Sequence, residues 1–421
     1  MTRPYDRFAK SLIASGVITD PWLDGAPRFE EEPVVLSMAL ASRLAKAAAS
    51  IAEVYDEAVR LLSDEPALLD DFFGLTPVQK AMFAASYPMW HGIARADLFV
   101  TDDGLAMAEL NCDTPTGEAE AVVLGALARE HHPDLVDPNE SLEQRFVEMV
   151  GAMRAHFVEG GGPPAAGIVY PTEFTEDLSL VRLYKRWLEA AGYAVALGSP
   201  YNLRSRGEDD PTARLFDEPV SVLIRHYKTD WWSERASAWA DEEVVDAAPL
   251  HGPLIVAFEA QAARRTVTVN PFGAVVAQNK RMMAFLWEHI HRFGVAAQDT
   301  IRELVPVTSR LETIHPEQLR AAREDWVLKS DYGAEGDEVV IGKLVTRDEW
   351  EASLAQARKG RWIAQRYFEA ALDDRGRSTN LGVFLVAGAP AGLYARLQAG
   401  ATDAHALSAP VLLSPAAGAR G

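Results

Sequence analysis

The stretch ARADLFVTDDGLAMAELNCDTPTG, residues 94–117, places polar side chains at alternate positions of two apolar runs on either side of Asp-Asp-Gly. Alternation with period two is typical of a strand with one buried face, and Asp-Asp-Gly is a turn sequence. We predict a β-hairpin with a three-residue loop at 102–104 and with Gly104 in the left-handed conformation. Its apolar face is suited to packing against helices, so the hairpin has to belong to a fold that combines helices with a sheet.

The register set by this loop places Asp97 opposite Glu109 and Arg95 opposite Asn111, all four on one face of the hairpin. A slip of one residue would exchange the two faces. The other face is predicted to be apolar and to carry Ala96, Leu98, Val100, Ala106, Ala108 and Leu110.

Two carboxylates that face each other repel, and such a pair persists when a cation lies between them. Two carboxylates and an amide carbonyl suit Mg²⁺, which shares its ligand shell with water and substrate phosphates. Arg95 beside such an ion could stabilise a phosphoryl group in transfer. The alternative interpretation is a solvated polar face with a cross-strand ion pair, and the hairpin alone does not decide between the two.

A second group of residues lies in WVLKSDYGAEGDEVVIG, residues 326–342, where Lys329 ends a predicted strand and Gly333 and Gly336 lie in the following loop. Glycines allow backbone N–H groups to close over phosphates, and a lysine supplies a point charge. The pattern of a Walker loop is missing, so an ordinary hairpin with a loose turn is the alternative. Lys280, at the start of a predicted helix, adds a second cation and favours the phosphate interpretation.

Two further polar residues interrupt β-like apolar runs: Gln365 in WIAQRYF and Arg396 in GLYARLQ. Satisfied residues on edge strands would explain both equally well. Together with the hairpin and the lysines, they describe separate elements that could hold Mg²⁺ and a nucleoside triphosphate.

The remaining chain predicts a mixed α and β protein of more than one domain. A long amphipathic helix covers 36–62, and EGGGPPAAG at 159–167 breaks all periodicity. The β-like runs after 325 are expected to form one antiparallel sheet. The predicted domains are 1–160 with the N-terminal helices and the charged hairpin, 161–250 with a small α/β unit, and 251–421 with the lysines and the glycine loop.

Composition excludes several classes of partner. A net charge of −20 over 421 residues repels nucleic acid and anionic lipid, so neither is an expected partner. No apolar run approaches the roughly eighteen residues that cross a bilayer, and the N-terminus lacks the pattern of a signal peptide, so we expect a cytoplasmic protein. Cys112, the single cysteine, excludes an internal disulfide, and we expect it to pack in the core.

The run ELNCDTPTGEAEA, with RAD before it and with NKRMMAFLW, LKSDYGAEG, AQRYF and AGLYAR after it, resembles the glutathionylspermidine synthase family over residues 75–410. The synthetase module of that family is a circularly permuted ATP-grasp ligase. The resemblance therefore implies an α+β fold of ATP-grasp type with a small α/β preATP-grasp-like domain and N-terminal helices. The Glu-x-Asn strand precedes the lysines, as in a permuted chain. Nothing in 1–75 resembles the amidase domain of the longer members, so hydrolase activity is not expected.

The resemblance also implies a role for each candidate residue. Arg95 would stabilise the transition state and contact ATP. The implied Mg²⁺ ligands, for two ions, are Asp97, Glu109 and Asn111. The implied ATP-binding residues are Lys280, Lys329, Gly336, Gln365 and Arg396, and the implied substrate-binding residues are Thr114, Glu176 and Asp177.

The reaction implied by the resemblance is ATP- and Mg²⁺-dependent joining of a carboxylate to an amine through an acyl phosphate. The substrates would be a small-molecule or peptide acid and an amine such as a polyamine. Ala334 in the glycine loop and RHYKTDWW depart from the family pattern and leave both substrates open. A non-catalytic nucleotide-binding protein, acting as a regulatory or scaffold partner, is the alternative, although Arg95 and the three metal ligands are all kept. A phosphatase or kinase would lack a base beside the hairpin.

Overall fold

A computed structural model describes residues 4–173, 177–234, 250–333, 338–400 and 406–415. The helices of these residues are α1 (Pro4–Ala14), α2 (Met38–Asp64), α3 (Ala67–Asp71), α4 (Pro77–Ser86), α5 (Glu118–His131), α6 (Leu142–Phe157), α7 (Leu178–Ala190), α8 (Thr229–Glu234), α9 (His251–Ala262), α10 (Ala274–Ala277), α11 (Arg281–Glu288), α12 (Val295–Leu304), α13 (Pro316–Ala321) and α14 (Arg347–Ala357). None of these helices is long and apolar enough to cross a membrane.

The strands of the same residues form several sheets. They are β1 (Trp22–Leu23), β2 (Ala26–Pro27), β3 (Val34–Ser37), β4 (Ile93–Thr101), β5 (Gly104–Asn111), β6 (Ala165–Val169), β7 (Ala194–Gly198), β8 (Leu203–Arg204), β9 (Arg214–Leu215), β10 (Glu218–Pro219), β11 (Val222–Arg225), β12 (Val267–Val269), β13 (Thr308–Arg310), β14 (Trp326–Ser330), β15 (Val339–Ile341), β16 (Trp362–Arg366), β17 (Ser378–Val386), β18 (Ala389–Gln398), β19 (Leu407–Ala409) and β20 (Val411–Ser414).

A five-stranded antiparallel sheet in the order β19-β18-β17-β4-β5 contains the predicted hairpin as β4 and β5. One face of this sheet packs against α2 and α12 in the largest apolar cluster, to which Ala96, Leu98 and Leu381 belong. Helix α2 confirms the helix predicted at 36–62 and begins where Ser37 accepts a hydrogen bond from the Leu40 amide at 3.1 Å. The apolar face of the hairpin is therefore covered by helices, as its pattern requires.

The register of the hairpin is confirmed at the charged positions and wrong near the turn. Asp97 pairs with Glu109, but Leu98 pairs with Met107, so Ala108 forms a bulge. The loop has two residues rather than three, because Gly104 already pairs with Thr101. Gly104 has a positive φ, of 144°. The shorter loop shifts the ladder by one residue, and the bulge restores the register before the charged pairs.

Two further sheets have four strands each. The order β12-β11-β6-β7 is parallel, and the order β13-β16-β14-β15 is antiparallel. The expectation of a single antiparallel sheet after residue 325 is wrong, since β17 and β18 join β4 instead of β16. β17 is drawn away from β16 because the edge of β4 that faces away from β5 would otherwise carry unpaired backbone groups.

Helix α5 begins at Glu118, directly after a glycine. Gly117 is the cap, with a φ of 105°, and a Cβ there would lie 2.8 Å from the Tyr394 ring. A glycine is therefore needed at this point for both reasons. The carbonyl of Thr116 is left to accept a hydrogen bond from Arg95.

Asn270, which directly follows β12 of the parallel sheet, forms hydrogen bonds with both ends of the charged hairpin. Its Oδ1 accepts hydrogen bonds from the amides of Gly92 and Ile93, both at 2.8 Å. Its Nδ2 donates to the carbonyls of Ile93, Cys112 and Asp113 at 2.8, 3.1 and 3.1 Å. Cys112 is fully buried in the core, as expected. One side chain thus fixes the entry to β4 and the exit from β5.

We expect Asn270→Ala to lower the free energy of unfolding by about 3 kcal/mol or more, because it leaves buried amides and carbonyls without partners. Urea denaturation followed by circular dichroism measures the change. Gln144→Ala is the control, since Gln144 bonds only Glu148 on the exposed surface of α6, and it should change the free energy by less than about 0.5 kcal/mol. Equal effects of the two variants would contradict the role given to Asn270.

Candidate functional site

The second face of the five-stranded sheet carries a group of polar residues from four adjacent strands. Pairing across the ladders places on this face Arg95, Asp97, Glu109, Asn111, Asn380 and Arg396. The first four are the predicted hairpin residues, and Arg396 lies directly across from Asn380. The structure therefore brings the hairpin and Arg396 to one face, as predicted.

Arg95 is bound to Asp97 through two hydrogen bonds. Its Nε lies 2.6 Å from Asp97 Oδ1 and its Nη2 lies 2.9 Å from Asp97 Oδ2. Both side chains are buried, with exposed fractions of 7% and 2%. Burial opposes the charge on Arg95, but Asp97 outweighs it and raises the pKa of the guanidinium. Arg95 therefore stays charged inside the protein.

Two neighbouring residues make room for this arginine. A Cβ at Gly382 would lie 2.7 Å from Arg95 Cδ, so only glycine fits there without a shift of the side chain. Tyr394 places its ring 5.5 Å below the guanidinium carbon. The remaining nitrogen of Arg95 donates to the carbonyl of Thr116 at the start of α5. The guanidinium is thus held by β4, β17, β18 and α5.

The amide of Asn111 lies between the two carboxylates. Its Nδ2 is 3.3 Å from Asp97 Oδ2 and 3.2 Å from Glu109 Oε1. Asn380, which the sequence analysis missed, places its Nδ2 3.4 Å from the same Asp97 oxygen. Only its position in a β-like run could have indicated it.

Both predicted lysines reach this group from other parts of the chain. Lys280 Nζ is 3.5 Å from Glu109 Oε2 and also donates to the carbonyl of Gly333. Lys329 Nζ donates to the carbonyl of Ala108, the bulged residue, at 2.9 Å. The bulge that interrupts the ladder thus provides the acceptor for a lysine from β14.

The charges shift the pKa values of these groups. Burial opposes ionisation of Glu109, but Lys280 and Lys329 outweigh it and lower its pKa to about 2. Burial lowers the pKa of Lys329 to about 8, with Glu109 opposing the shift and Lys280 adding to it. Arg95, Lys280 and Lys329 together outnumber the carboxylates of Asp97 and Glu109. A buried excess of positive charge favours an anionic ligand.

The oxygen donors of the site fit a magnesium ion. Asp97 and Glu109 offer carboxylates, and Asn111 offers an amide. Among the described residues, the Oδ1 of buried Asn380 has no hydrogen-bond partner, so the site holds an acceptor that a cation or a donor could satisfy. In the described part of the chain, no three histidine, cysteine or acidic residues form a metal cluster. Oxygen donors of the kind that Asp97, Glu109 and Asn111 offer suit a hard cation.

Gln365 lies on β16, on the same face as Lys329 of the adjacent β14. It is buried, and its Nε2 donates to Thr308 Oγ1 at 3.1 Å. The edge-strand interpretation of Gln365 and Arg396 is wrong, because β16 and β18 each lie between two other strands. Gly336, the predicted phosphate-covering glycine, lies outside the described residues.

A pocket beside Arg95 contains the predicted substrate residue Thr114. Its other lining residues include Ile93, Tyr184 and His226. Asp177 contacts this pocket through His226, with Asp177 Oδ2 3.2 Å from His226 Nε2. Glu176 lies outside the described residues. The structure thus places Thr114 and Asp177 next to the polar face and not among the metal donors.

Two acidic residues near this pocket were missed by the sequence analysis. Asp113 forms a buried ion pair with Arg225 at 2.6 Å, so this arginine is not available to a ligand. Glu118, at the start of α5, is fully buried and accepts a hydrogen bond from Tyr184 Oη at 3.1 Å. Burial raises the pKa of Glu118 to about 7. Both residues follow the Glu-x-Asn run, and that proximity was the available signal.

The chain is similar to known proteins in sequence and in structure. A family model described as glutathionylspermidine synthase preATP-grasp matches residues 14–412. A glutathione synthetase like-effector from Globodera pallida has a TM-score of 0.61 at 12% identity, with 98% of each chain covered. A putative gamma-glutamylcysteine synthetase from Methylobacillus flagellatus KT has a TM-score of 0.47 at 13% identity, covering 83% of this chain and 85% of that one. No curated protein matches. The similarity to the Globodera pallida structure shows a shared fold.

The buried carboxyl of Glu118 predicts a pH-dependent stability. Its pKa is about 7 in the folded protein against an ordinary value of 4.5, so the folded state binds the proton more tightly. Stability is therefore lost as the pH rises from 4.5 through 7. Glu118→Gln removes this loss, and relative to the wild type it should gain about 2–3 kcal/mol between pH 4 and pH 8.

Urea denaturation at both pH values measures this difference. Glu130→Gln is the control, since Glu130 is exposed on the same helix and should show no such gain. A gain for Glu118→Gln that is the same at both pH values would show that folding does not raise the pKa of Glu118.

Proposed function

We propose, because this chain belongs to the glutathionylspermidine synthase preATP-grasp family, that it is a ligase that uses ATP and Mg²⁺ to join a carboxylic acid to an amine. The family predicted from the sequence is thereby confirmed. The observation that carries the proposal is the convergence of Arg95, both carboxylates and both lysines on one face of a sheet. Such a group matches the requirements of phosphoryl transfer, which depends on positioned cations and a metal.

Each residue of the site receives a role in this proposal. Asp97, Glu109 and Asn111 would hold Mg²⁺, and Lys280 and Lys329 would bind the phosphates of ATP. Gln365 would lie on the adenine side, since it shares a face with Lys329. Arg396 and Gly336 would contact the phosphates, and Thr114, Glu176 and Asp177 would contact the substrates.

The proposed reaction begins with transfer of the terminal phosphoryl group of ATP to the donor carboxylate. Arg95 would stabilise the charge that develops on that group, and Lys329 would bind the phosphates that leave as ADP. Bound Mg²⁺ supplies neutralisation of the phosphates and aligns them with the carboxylate. The acyl phosphate is then attacked by the amine to form the amide. No protein nucleophile is needed in either step.

The fold supports this proposal through the order of its elements. We infer an ATP-grasp arrangement with permuted chain order, because β4 and β5 precede the strands and helix that carry the lysines. The region 161–250 would act as the preATP-grasp-like unit, between the parts at 1–160 and 251–421. By analogy with the family, the substrates would be a peptide acid such as glutathione and an amine such as a polyamine.

The assignment is tested by measuring ADP release while acids and amines are supplied in pairs. The acids are amino acids, glutathione and other peptides, and the amines include spermidine, putrescine and glycine. ADP that requires both partners, with the amide identified by mass spectrometry, supports the ligase. Binding of ATP without any ADP would instead favour a non-catalytic nucleotide-binding protein.

Glu109→Gln should lower ADP formation by about 100-fold or more, because an uncharged amide replaces a proposed metal ligand at the phosphates. Its circular dichroism spectrum should not change, since Glu109 is partly exposed on the polar face. Glu53→Gln, on the exposed side of α2, is the matched control and should turn over normally. Normal turnover of Glu109→Gln would remove Mg²⁺ from this strand.

Lys329→Met should weaken ATP binding by about 10–100-fold, because it removes a charge-assisted hydrogen bond to a phosphate. Isothermal titration with a non-hydrolysable ATP analogue measures the dissociation constant. Lys46→Met, an exposed lysine of α2, controls for the loss of one positive charge. An affinity like that of the wild type would exclude Lys329 from the phosphate site.

A further inference from the structure

Glu118 lies between the cationic site and the neighbouring pocket, and no role proposed above uses it. It is the first residue of α5, two positions after Thr116, whose carbonyl is bound by Arg95. The side chain is fully buried, and its Oε2 has no hydrogen-bond partner in the part of the chain that the structure describes. An unsatisfied buried carboxylate oxygen is costly, so its presence calls for a reason other than packing.

Tyr184 connects this carboxylate with the pocket. Its hydroxyl donates to Glu118 Oε1 at 3.1 Å, and the residue also lines the pocket with Ile93 and Thr114. Its ring is stacked on Phe146, with centroids 4.4 Å apart, so the hydroxyl is held in place. Ile93 and Arg95 are two positions apart on β4 and therefore lie on the same face of the strand. The pocket that Ile93 lines is thus directly beside the arginine.

We propose that Tyr184 and Glu118 form a proton relay that accepts the proton of the acceptor amine when the amide bond is made. This inference rests on the proposed ligase function and adds the group that the second step needs. The reacting nitrogen of the amine would enter the pocket lined by Thr114, Tyr184 and His226, which has room for a group of about the size of a water molecule. Tyr184 touches the amine, and Glu118 acts through Tyr184.

The step balances without a further reactant. The lone pair of the amine nitrogen forms the C–N bond, and the electrons of the C–O bond leave with inorganic phosphate. The N–H proton passes to the oxygen of Tyr184 while the proton of that hydroxyl passes to the Glu118 carboxylate. Glu118 later returns the proton to solvent, which restores the starting state.

The surroundings of Glu118 are suited to a group that gains and loses a proton. Burial favours the neutral form, whereas Arg95, His226 and the hydrogen bond from Tyr184 favour the anion. The opposing effects leave the pKa of Glu118 at about 7, where a general base is most effective. Burial and Glu118 raise the pKa of Tyr184, so the phenol keeps its own proton until the amine arrives.

The charges around the pocket also limit the acceptor. His226 is paired with Asp177, and Lys228 lies near the same carboxylate and lowers its pKa. Asp113 is paired with Arg225. The carboxylates on this side are therefore already neutralised by cations of the chain, so the pocket suits an amine that enters uncharged. An amine of that kind gives up a proton after attack, which is the event the relay serves.

The test separates formation of the acyl phosphate from its capture by the amine. Hydroxylamine, which is largely unprotonated at neutral pH, traps the acyl phosphate as a hydroxamate and needs no base. The donor acid is whichever member of the panel gives ATP-dependent hydroxamate with the wild type. Glu118→Gln and Tyr184→Phe should form hydroxamate within about twofold of the wild type, but should make the amide about 100-fold more slowly or worse.

Two further readings distinguish the relay from a structural role. The rate of amide formation by the wild type should rise with pH through about 7, and Glu118→Gln should lose this rise. Arg95, Tyr184 and the His226–Asp177 pair face the same carboxyl and also affect its ionisation. The pH dependence of Tyr184→Phe is therefore measured over the same range and compared with that of the wild type. Glu130→Gln, on the exposed side of α5, should behave as the wild type in both assays.

The relay is wrong if Glu118→Gln slows hydroxamate and amide formation equally, because Glu118 would then support the fold or Arg95. It is also wrong if amide formation by Glu118→Gln is unchanged. If the wild type forms neither hydroxamate nor ADP with any acid, the ligase assignment fails, and the relay fails with it. The wild-type control thus tells the two failures apart.

Discussion

The ion pair between Arg95 and Asp97 is the constraint on which the rest of the site depends. Both groups are buried, so each must be satisfied by hydrogen bonds, and removing either partner of such a pair typically costs about 3–5 kcal/mol. The neighbouring sequence is adapted to it: Gly382 leaves room for the side chain, and Thr116 supplies a carbonyl. Because Arg95 binds both Asp97 and the start of α5, a ligand that engages the guanidinium acts on the pocket beside that helix as well.

The excess of positive charge follows from this arrangement. Asp97 is paired with Arg95, and Glu109 is the carboxylate that lies 3.5 Å from Lys280 and also interacts with Lys329. The two ammonium groups hold the pKa of Glu109 at about 2, whereas burial is the main cause of the lowered pKa of Lys329, to which the neighbouring Lys280 adds. A polyphosphate with its metal would supply the missing negative charge. The electrostatics of the isolated chain therefore favour the ligand that the proposed function requires.

The sequence predicted local features of this fold better than the connections between them. Alternation along β4 and β5 indicated the face shared by Asp97 and Glu109, because period two leaves no other choice. The bulge at Ala108 was not predictable, because it depends on a loop of two residues. Its carbonyl accepts a hydrogen bond from Lys329 on β14, which is distant in the sequence. The pairing of β17 with β4 was missed because it joins residues that are 283 to 293 positions apart in the sequence. The position of Asn380 in a β-like run and the nearness of Glu118 to the Glu-x-Asn run were weak signals, and the side-chain atoms that lack partners among the described residues are visible only in the structure.

Strand β4 also sets the distances within the site. Ile93, Arg95 and Asp97 follow one another on one face, and alternate residues of a strand lie about 6.6 Å apart. The pocket, the guanidinium and the carboxylate that would bind the metal are therefore spaced evenly along one rigid element. The bulge lies beyond Asp97, so the ladder is regular over the residues that need it. Asn270 holds the entry to this strand, so a movement there would displace the proposed amine pocket relative to the proposed phosphate-binding residues and would also disturb the fold.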